Sequence, residues 1–232
     1  MSDPEPRRGR AHDAEGAREA ILNAAEAVFA EHGFDGARID VIAKASGYNS
    51  SLLFHYFGDK LGLYVEVVKR ADREMTELQV RVLAPLLEDE TIVSNVHAFK
   101  ALLEIIVTAL FDYLIAHPRF MRMLLWEQAE GWQTFSRTVS QFDTEDADQF
   151  EALFRKARSA GLLRSDFVPL IQLSMVLQIC LSYLTFIPLY QMVLPPGEDL
   201  FSAAALARAR KYLVAFVVHG MMIDLPETKP RD

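Results

Sequence analysis

The sequence predicts an all-α protein, and three observations carry that prediction. Apolar residues recur at three- and four-residue spacing through most of the chain, no segment alternates with period two for long enough to make a strand, and glycine and proline punctuate the periodic stretches. There is no internal repeat. With 232 residues and 51 % hydrophobic content the chain can pack one domain or two.

Taken in order, residues 1–13 are polar, carry Arg7, Arg8 and Arg10, and read as a disordered arm. Ile21, Ala25, Val28 and Phe29 then mark a first helix, with Gly33 as the residue that ends it. In "RIDVIAKAS" Ile39, Ile42 and Ala43 share a face; Gly47 supplies a tight turn and Asn49 caps a third short helix. Asp59 is the expected N-cap of a longer helix through Leu63, Val67 and Val68 to about Ala84, just before Pro85. From Ile92 to His117 a polar stripe of His97, Lys100, Glu104, Thr108 and Asp112 runs along an otherwise apolar helix that Pro118 stops. Further helices are expected from Pro118 to about Glu130, from about Thr144 to Ala160 with Gly161 as stop, and from Leu200 to about Met222. The acidic run "FDTEDADQFE" suits the start of the second of these, where the helix dipole favours negative charge.

Between Phe167 and Gly197 no side chain carries a formal charge, long enough for a membrane span. The stretch nevertheless holds Gln172, Ser174, Gln178, Ser182, Thr185 and Gln191, is interrupted by Pro169 and Pro188, and lacks basic flanks. A helix buried on all sides by protein is the expectation, with a membrane-associated sensor as the competing one.

Charge and cysteine usage narrow the function classes. A formal net charge of -8 leaves no overall attraction to nucleic acid or acidic membrane, so such binding has to be local. Even up to Arg70 the acidic side chains outnumber the basic ones. Cys180, alone in the chain, forms no intramolecular disulfide, and its apolar setting suits a small core residue better than a redox sensor. The N-terminus has no signal-like apolar run, which points to the cytoplasm. His97, His117 and His219 lack metal-ligand spacing, and no phosphate loop or nucleophile elbow is present, so neither metal, cofactor nor catalytic residues are expected.

The local concentration of chemistry lies in "NSSLLFHYFGDK", residues 49–60. A recognition helix needs short polar side chains on its outer face and apolar ones inside; Asn49, Ser50 and Ser51 fit the first role, Leu52, Leu53 and Phe57 the second. A tyrosine hydroxyl or imidazole at its end can bond a phosphate, while the competing reading makes His55 and Tyr56 packing residues.

The longer stretch "GFDGARIDVIAKASGYNSSLLFHYFGDKLGLY", residues 33–64, resembles the DNA-binding domain of the TetR/AcrR family of bacterial transcriptional regulators. That family's usual form is a Gly-aromatic start, an "IA" on the second helix, an "AGVS" turn and "LYHYFxxKexL". Beyond it the likeness rests on helix pattern and on "GLLRSDFVP", similar to a segment before the family's eighth helix. The resemblance implies an all-helical homodimer: a helix-turn-helix domain over 14–62, a ligand-binding and dimerisation domain over 63–225, and a tail over 226–232. DNA contacts carried over fall on Arg38, Lys44, Tyr48, Asn49, Ser50 and Ser51, with His55, Tyr56 and Lys60 completing a phosphate clamp. Tyr48, Ser50 and Ser51 depart from the small apolar residue, lysine and glycine of many relatives; the interface loses a cation and gains a ring able to touch a thymine methyl or a sugar.

In "RFMRMLLWEQAEGWQTF" large flexible and aromatic groups are dense: Phe120, Met121, Met123, Trp126, Trp132 and Phe135. Core packing explains such a stripe; the functional reading is a pocket among Phe99, Leu103, Ile106, Trp126, Tyr183 and Phe186 for a lipophilic or aromatic effector. Glu127 or Glu130, turned inward, would favour a cationic one. The expected dimer interface is a four-helix bundle using Gln178, Ser182, Leu206, Leu213, Val217 and Met221. The expectation is thus a ligand-responsive regulator, more a repressor than an activator, on a palindromic operator. The alternative from another class is a small-molecule-binding or enzymatic helical protein with a vestigial helix-turn-helix.

Overall fold

The computed structural model describes residues 8–87, 92–141, 145–164, 166, 168–193, 197 and 199–222. In chain order the helices are α1 (Arg8–Gly36), α2 (Ile39–Ser46), α3 (Ser50–Phe57), α4 (Lys60–Leu87), α5 (Val96–Ala116), α6 (Pro118–Ala129), α7 (Gln133–Ser136), α8 (Glu145–Ser159), α9 (Pro169–Val193) and α10 (Ala203–Met221), with a 3-10 turn at Val139–Gln141. An antiparallel bridge pairs Leu163 with Met222, and no strand occurs among the described residues. The fold is all-α.

The chain divides into two compact units, Met1–Glu74 with His117–Asp143, and Met75–Ala116 with Thr144–Asp232. This differs from the expected boundary at residue 62, because α6 returns to pack along α1 and the first turns of α4 join the same core. That core gathers Ile21, Phe29, Ile42, Leu53, Leu63 and Tyr64, and Tyr64 meets the Phe29 and Phe34 rings edge-on at 5.0 and 5.3 Å. Such edge-to-face pairs add to simple burial. In the second unit α5 packs against α10 and α9, and α8 against α9.

Several helix ends follow their local chemistry. Gly33 breaks α1 at φ 69°, a backbone region an L side chain rarely adopts. The Asn95 carboxamide oxygen accepts from the amides of His97 and Ala98, so α5 begins at Val96 and not at Ile92. Ser202 likewise caps α10 by accepting from the Ala205 amide.

Four expectations are corrected. Helix α1 begins at Arg8, inside the stretch read as an unstructured arm; Arg7 and residues 226–232 lie outside the described residues. Helix α4 continues to Leu87 through Pro85, which falls in its last turn. Helix α9 runs through Pro188 as one element, and the short α7 was not anticipated. Finally, α9 is long and apolar enough to cross a membrane, yet only 28 % of its most apolar window is buried in the chain. Its Leu170, Ile171, Met175, Phe186 and Leu189 are exposed, so it is not enclosed on all sides.

Candidate nucleic-acid interface

The helix-turn-helix is assembled from caps that the sequence encodes locally. Gly47 adopts a left-handed conformation at φ 80°, its N–H and that of Tyr48 bond back to Ala43 and Lys44 carbonyls, and α2 closes. Asn49 then opens α3, its side-chain oxygen accepting from the Leu52 amide at 2.9 Å. At the far end Asp59 accepts from the Gly62 amide at 2.7 Å and starts α4. Leu53 and Phe57 anchor α3 in the core, with Leu52 and Tyr56 partly buried against it. Ser51, Phe54 and His55 are exposed and Ser50 half-buried, all on the opposite face of α3. Tyr48, Asn49 and Lys44 are exposed as well.

Two cations from the expected set are already engaged. Arg38 donates to both carboxylate oxygens of Asp40, at 3.0 and 2.9 Å, and holds that carboxyl below its usual range chiefly through this hydrogen bonding. Lys60 points back toward the α1–α2 connection. Its Nζ donates to the carbonyls of Ala37 at 3.0 Å and Asp35 at 3.3 Å and lies 4.6 Å from the centre of the Phe34 ring. His55 and Tyr56 rings are 5.5 Å apart, tilted. The residue the sequence reading passed over is Phe54; counting helical positions from the Asn49 cap places it with Ser50, Ser51 and His55 on the outer face.

The expected effector cluster is not gathered in one place. Phe99 and Leu103 are buried, Ile106 and Tyr183 half-buried and Phe186 exposed, all in the second unit, where Tyr183 meets the Phe111 ring at 6.1 Å. Trp126 belongs to the first unit, its indole N–H donating to the Ala30 carbonyl at 3.3 Å. Glu127 does turn inward, but protein groups occupy it: Tyr64 donates to one oxygen at 2.5 Å and the Phe135 amide to the other at 3.1 Å. Burial, then the carboxylates of Asp35 and Glu127, raise the pKa of Glu130. A cavity of about 200 Å³ opens elsewhere in the first unit, its walls including Glu19, Glu26, Arg70, Glu74, His117 and Phe120. There Arg70 pairs with Glu19 and Glu26, and His117 with Glu74 at 3.0 Å, so it is a charged cleft and not the apolar pocket expected. His219 Nδ1 lies 2.7 Å from the Ala215 carbonyl, and burial pushes the Cys180 thiol up to about 12, far from a reactive thiolate.

The expected dimer residues divide likewise. Leu213, Val217 and Met221 are buried within the chain, since α10 turns that face to α5. Gln178 is exposed and Ser182 and Leu206 half-buried, while the large exposed side chains of α10 are Tyr212 and Phe216.

A capped helix-turn-helix with a small-polar outer face, in one chain with an all-helical second unit, defines a DNA-binding transcriptional regulator. Residues 21–67 match the model for bacterial regulatory proteins of the tetR family, and residues 100–217 match that for the tetracyclin repressor-like C-terminal domain. The chain belongs to the TetR family. It is 28 % identical over 192 residues to an HTH-type transcriptional repressor of Streptomyces coelicolor, covering 82 % of this chain and 88 % of the relative. It is 25 % identical over 176 residues to the HTH-type transcriptional repressor NicS of Pseudomonas putida, covering 75 % and 78 % respectively. The solved structure of the fatty acid degradation regulator FadR from Bacillus halodurans superposes with a TM-score of 0.58 at 16 % identity, over 94 % of this chain and 97 % of that one, a likeness of fold alone.

Proposed function

We propose that this regulator is a cytoplasmic repressor that binds a palindromic operator as a homodimer and leaves it when a lipophilic or aromatic effector binds the second unit. The observation that carries the reading is the pairing of one recognition helix per chain with an unmatched apolar face. Phe186, Leu189 and Tyr190 of α9 and Tyr212 and Phe216 of α10 are exposed, a surface suited to a second copy by two-fold symmetry. Two copies double each contact made by Lys44, Asn49 and the α3 serines, which suits a chain with so few free cations. Repressor is preferred to activator because both long relatives carry that name. The effector reading draws on the aromatic interior of the second unit, where Phe99 lies 6.1 Å from Phe154 and Phe111 the same distance from Tyr183. Release then follows if the effector prefers a dimer state that misfits the operator.

Selection of bound duplexes from random-sequence DNA by the full-length chain tests this directly. The expected product is an inverted repeat, bound by two chains, from which planar aromatic or fatty compounds displace the protein. Enrichment of direct repeats or single half-sites, bound by one chain each, is the result that removes the dimeric reading.

A further inference from the structure

Between Asp13 and Glu74 the large apolar side chains on the surface are Val41, Tyr48 and Phe54, exposed at 41 %, 37 % and 48 %. All three lie on α2, the turn and α3. Scattered surface apolar residues are ordinary, but here they are confined to the element that meets DNA. Leaving a phenylalanine ring half in water forfeits part of the roughly 1.5–3 kcal/mol that full burial supplies.

Phe54 also stands where the family pattern "LYHYF" has its first tyrosine, so the ring is kept and the hydroxyl is gone. It has no donor to offer a phosphate. What remains is an apolar, polarizable surface on the same face of α3 as Ser50, Ser51 and His55. In the major groove the 5-methyl group of thymine is the apolar feature that base edges present. Electrostatics near this face are thin besides, with Arg38 held by Asp40 and Lys60 by the Asp35 and Ala37 carbonyls.

We propose that Phe54 is a specificity-determining residue that reads thymine 5-methyl groups in the operator half-site, with Tyr48 at the turn extending the same apolar contact. The proposal rests on the DNA-binding role of α3 and adds the chemistry by which it chooses sequence. A half-site read this way contains thymine at fixed positions opposite α3 and discriminates through methyl contact as well as hydrogen bonds.

The test uses the full-length chain and the duplex it selects from random DNA. Each thymine is replaced in turn by deoxyuridine, which removes the methyl and leaves base pairing intact. Wild type should lose affinity roughly fourfold at one or two positions per half-site, about the value of one buried methyl group. Phe54→Ala should bind the thymine operator more weakly and no longer distinguish thymine from deoxyuridine at those positions, while Phe54→Leu keeps part of the difference. A flat deoxyuridine scan with wild type overturns the proposal without touching DNA binding, as does a Phe54→Ala chain that retains the full penalty. If no duplex is enriched at all, the DNA-binding reading falls and this proposal with it.

Discussion

Lys60 illustrates what a residue's neighbours decide and a motif does not. Its position in the family pattern suggests a phosphate contact, yet its ammonium holds the Asp35 and Ala37 carbonyls, far back in the chain, and so fixes the entry to α2. Losing one phosphate contact per chain lowers the slope of log affinity against log salt by about 1. Lys44→Ala is therefore expected to flatten that slope, whereas Lys60→Ala should weaken binding with the slope unchanged; salt titrations of both variants on one operator settle the roles. Gly62 is a second case. A methyl group there would sit 2.1 Å from the Phe57 carbonyl oxygen, so Gly62→Ala should force the start of α4 away from α3 and cost about 1–3 kcal/mol in denaturant unfolding. The caps at Gly47, Asn49 and Asp59 were legible in the sequence because each bonds within a few residues of itself. Lys60 and Gly62 were not, since their constraints come from backbone brought near by folding.

At the scale of an element, α6 shows how tertiary packing reassigns residues that a linear reading gives to a ligand. Helix-breaking Pro118 and the apolar stripe fixed its boundaries correctly, but Trp126 and Glu127 face α1 and α4. The Tyr64–Glu127 pair is buried, so Tyr64→Phe leaves a carboxylate oxygen without its donor. A loss of about 1–3 kcal/mol in unfolding free energy is expected, with earlier hydrogen exchange along α6. Glu130 gives a pH signature of known sign. Its folded pKa is raised, so its ionised form is disfavoured in the fold; the penalty applies above the folded pKa and is relieved as pH falls through it. Glu130→Gln should raise the melting temperature at neutral pH, and the gap from wild type should shrink as the solution is acidified. A gap independent of pH would mean that the carboxylate's charge is not the cause.

For the whole molecule, fold class and helix order were readable because eleven-to-twenty-residue periodicities and their Gly and Pro stops are dense in this chain. Which face of α9 and α10 turns inward was not, because both helices are apolar nearly all round and periodicity then loses its contrast. The structure settles it for the single chain: Leu213 and Val217 are inside, Tyr212 and Phe216 outside. Phe216→Arg should accordingly leave each chain folded but shift sedimentation from dimer to monomer, with loss of tight operator binding; Leu213→Arg should instead unfold it. The exposed half of α9 also has a consequence for the protein's life in a cell. A chain without a mate presents a long uncharged helix to proteases, and mating is second order in concentration, so each molecule survives longer when more of its kind are present. Turnover per molecule, followed by pulse-chase at low and high expression, should therefore slow as the pool grows, and a repressor that limits its own synthesis would find its scarce copies the quickest to disappear.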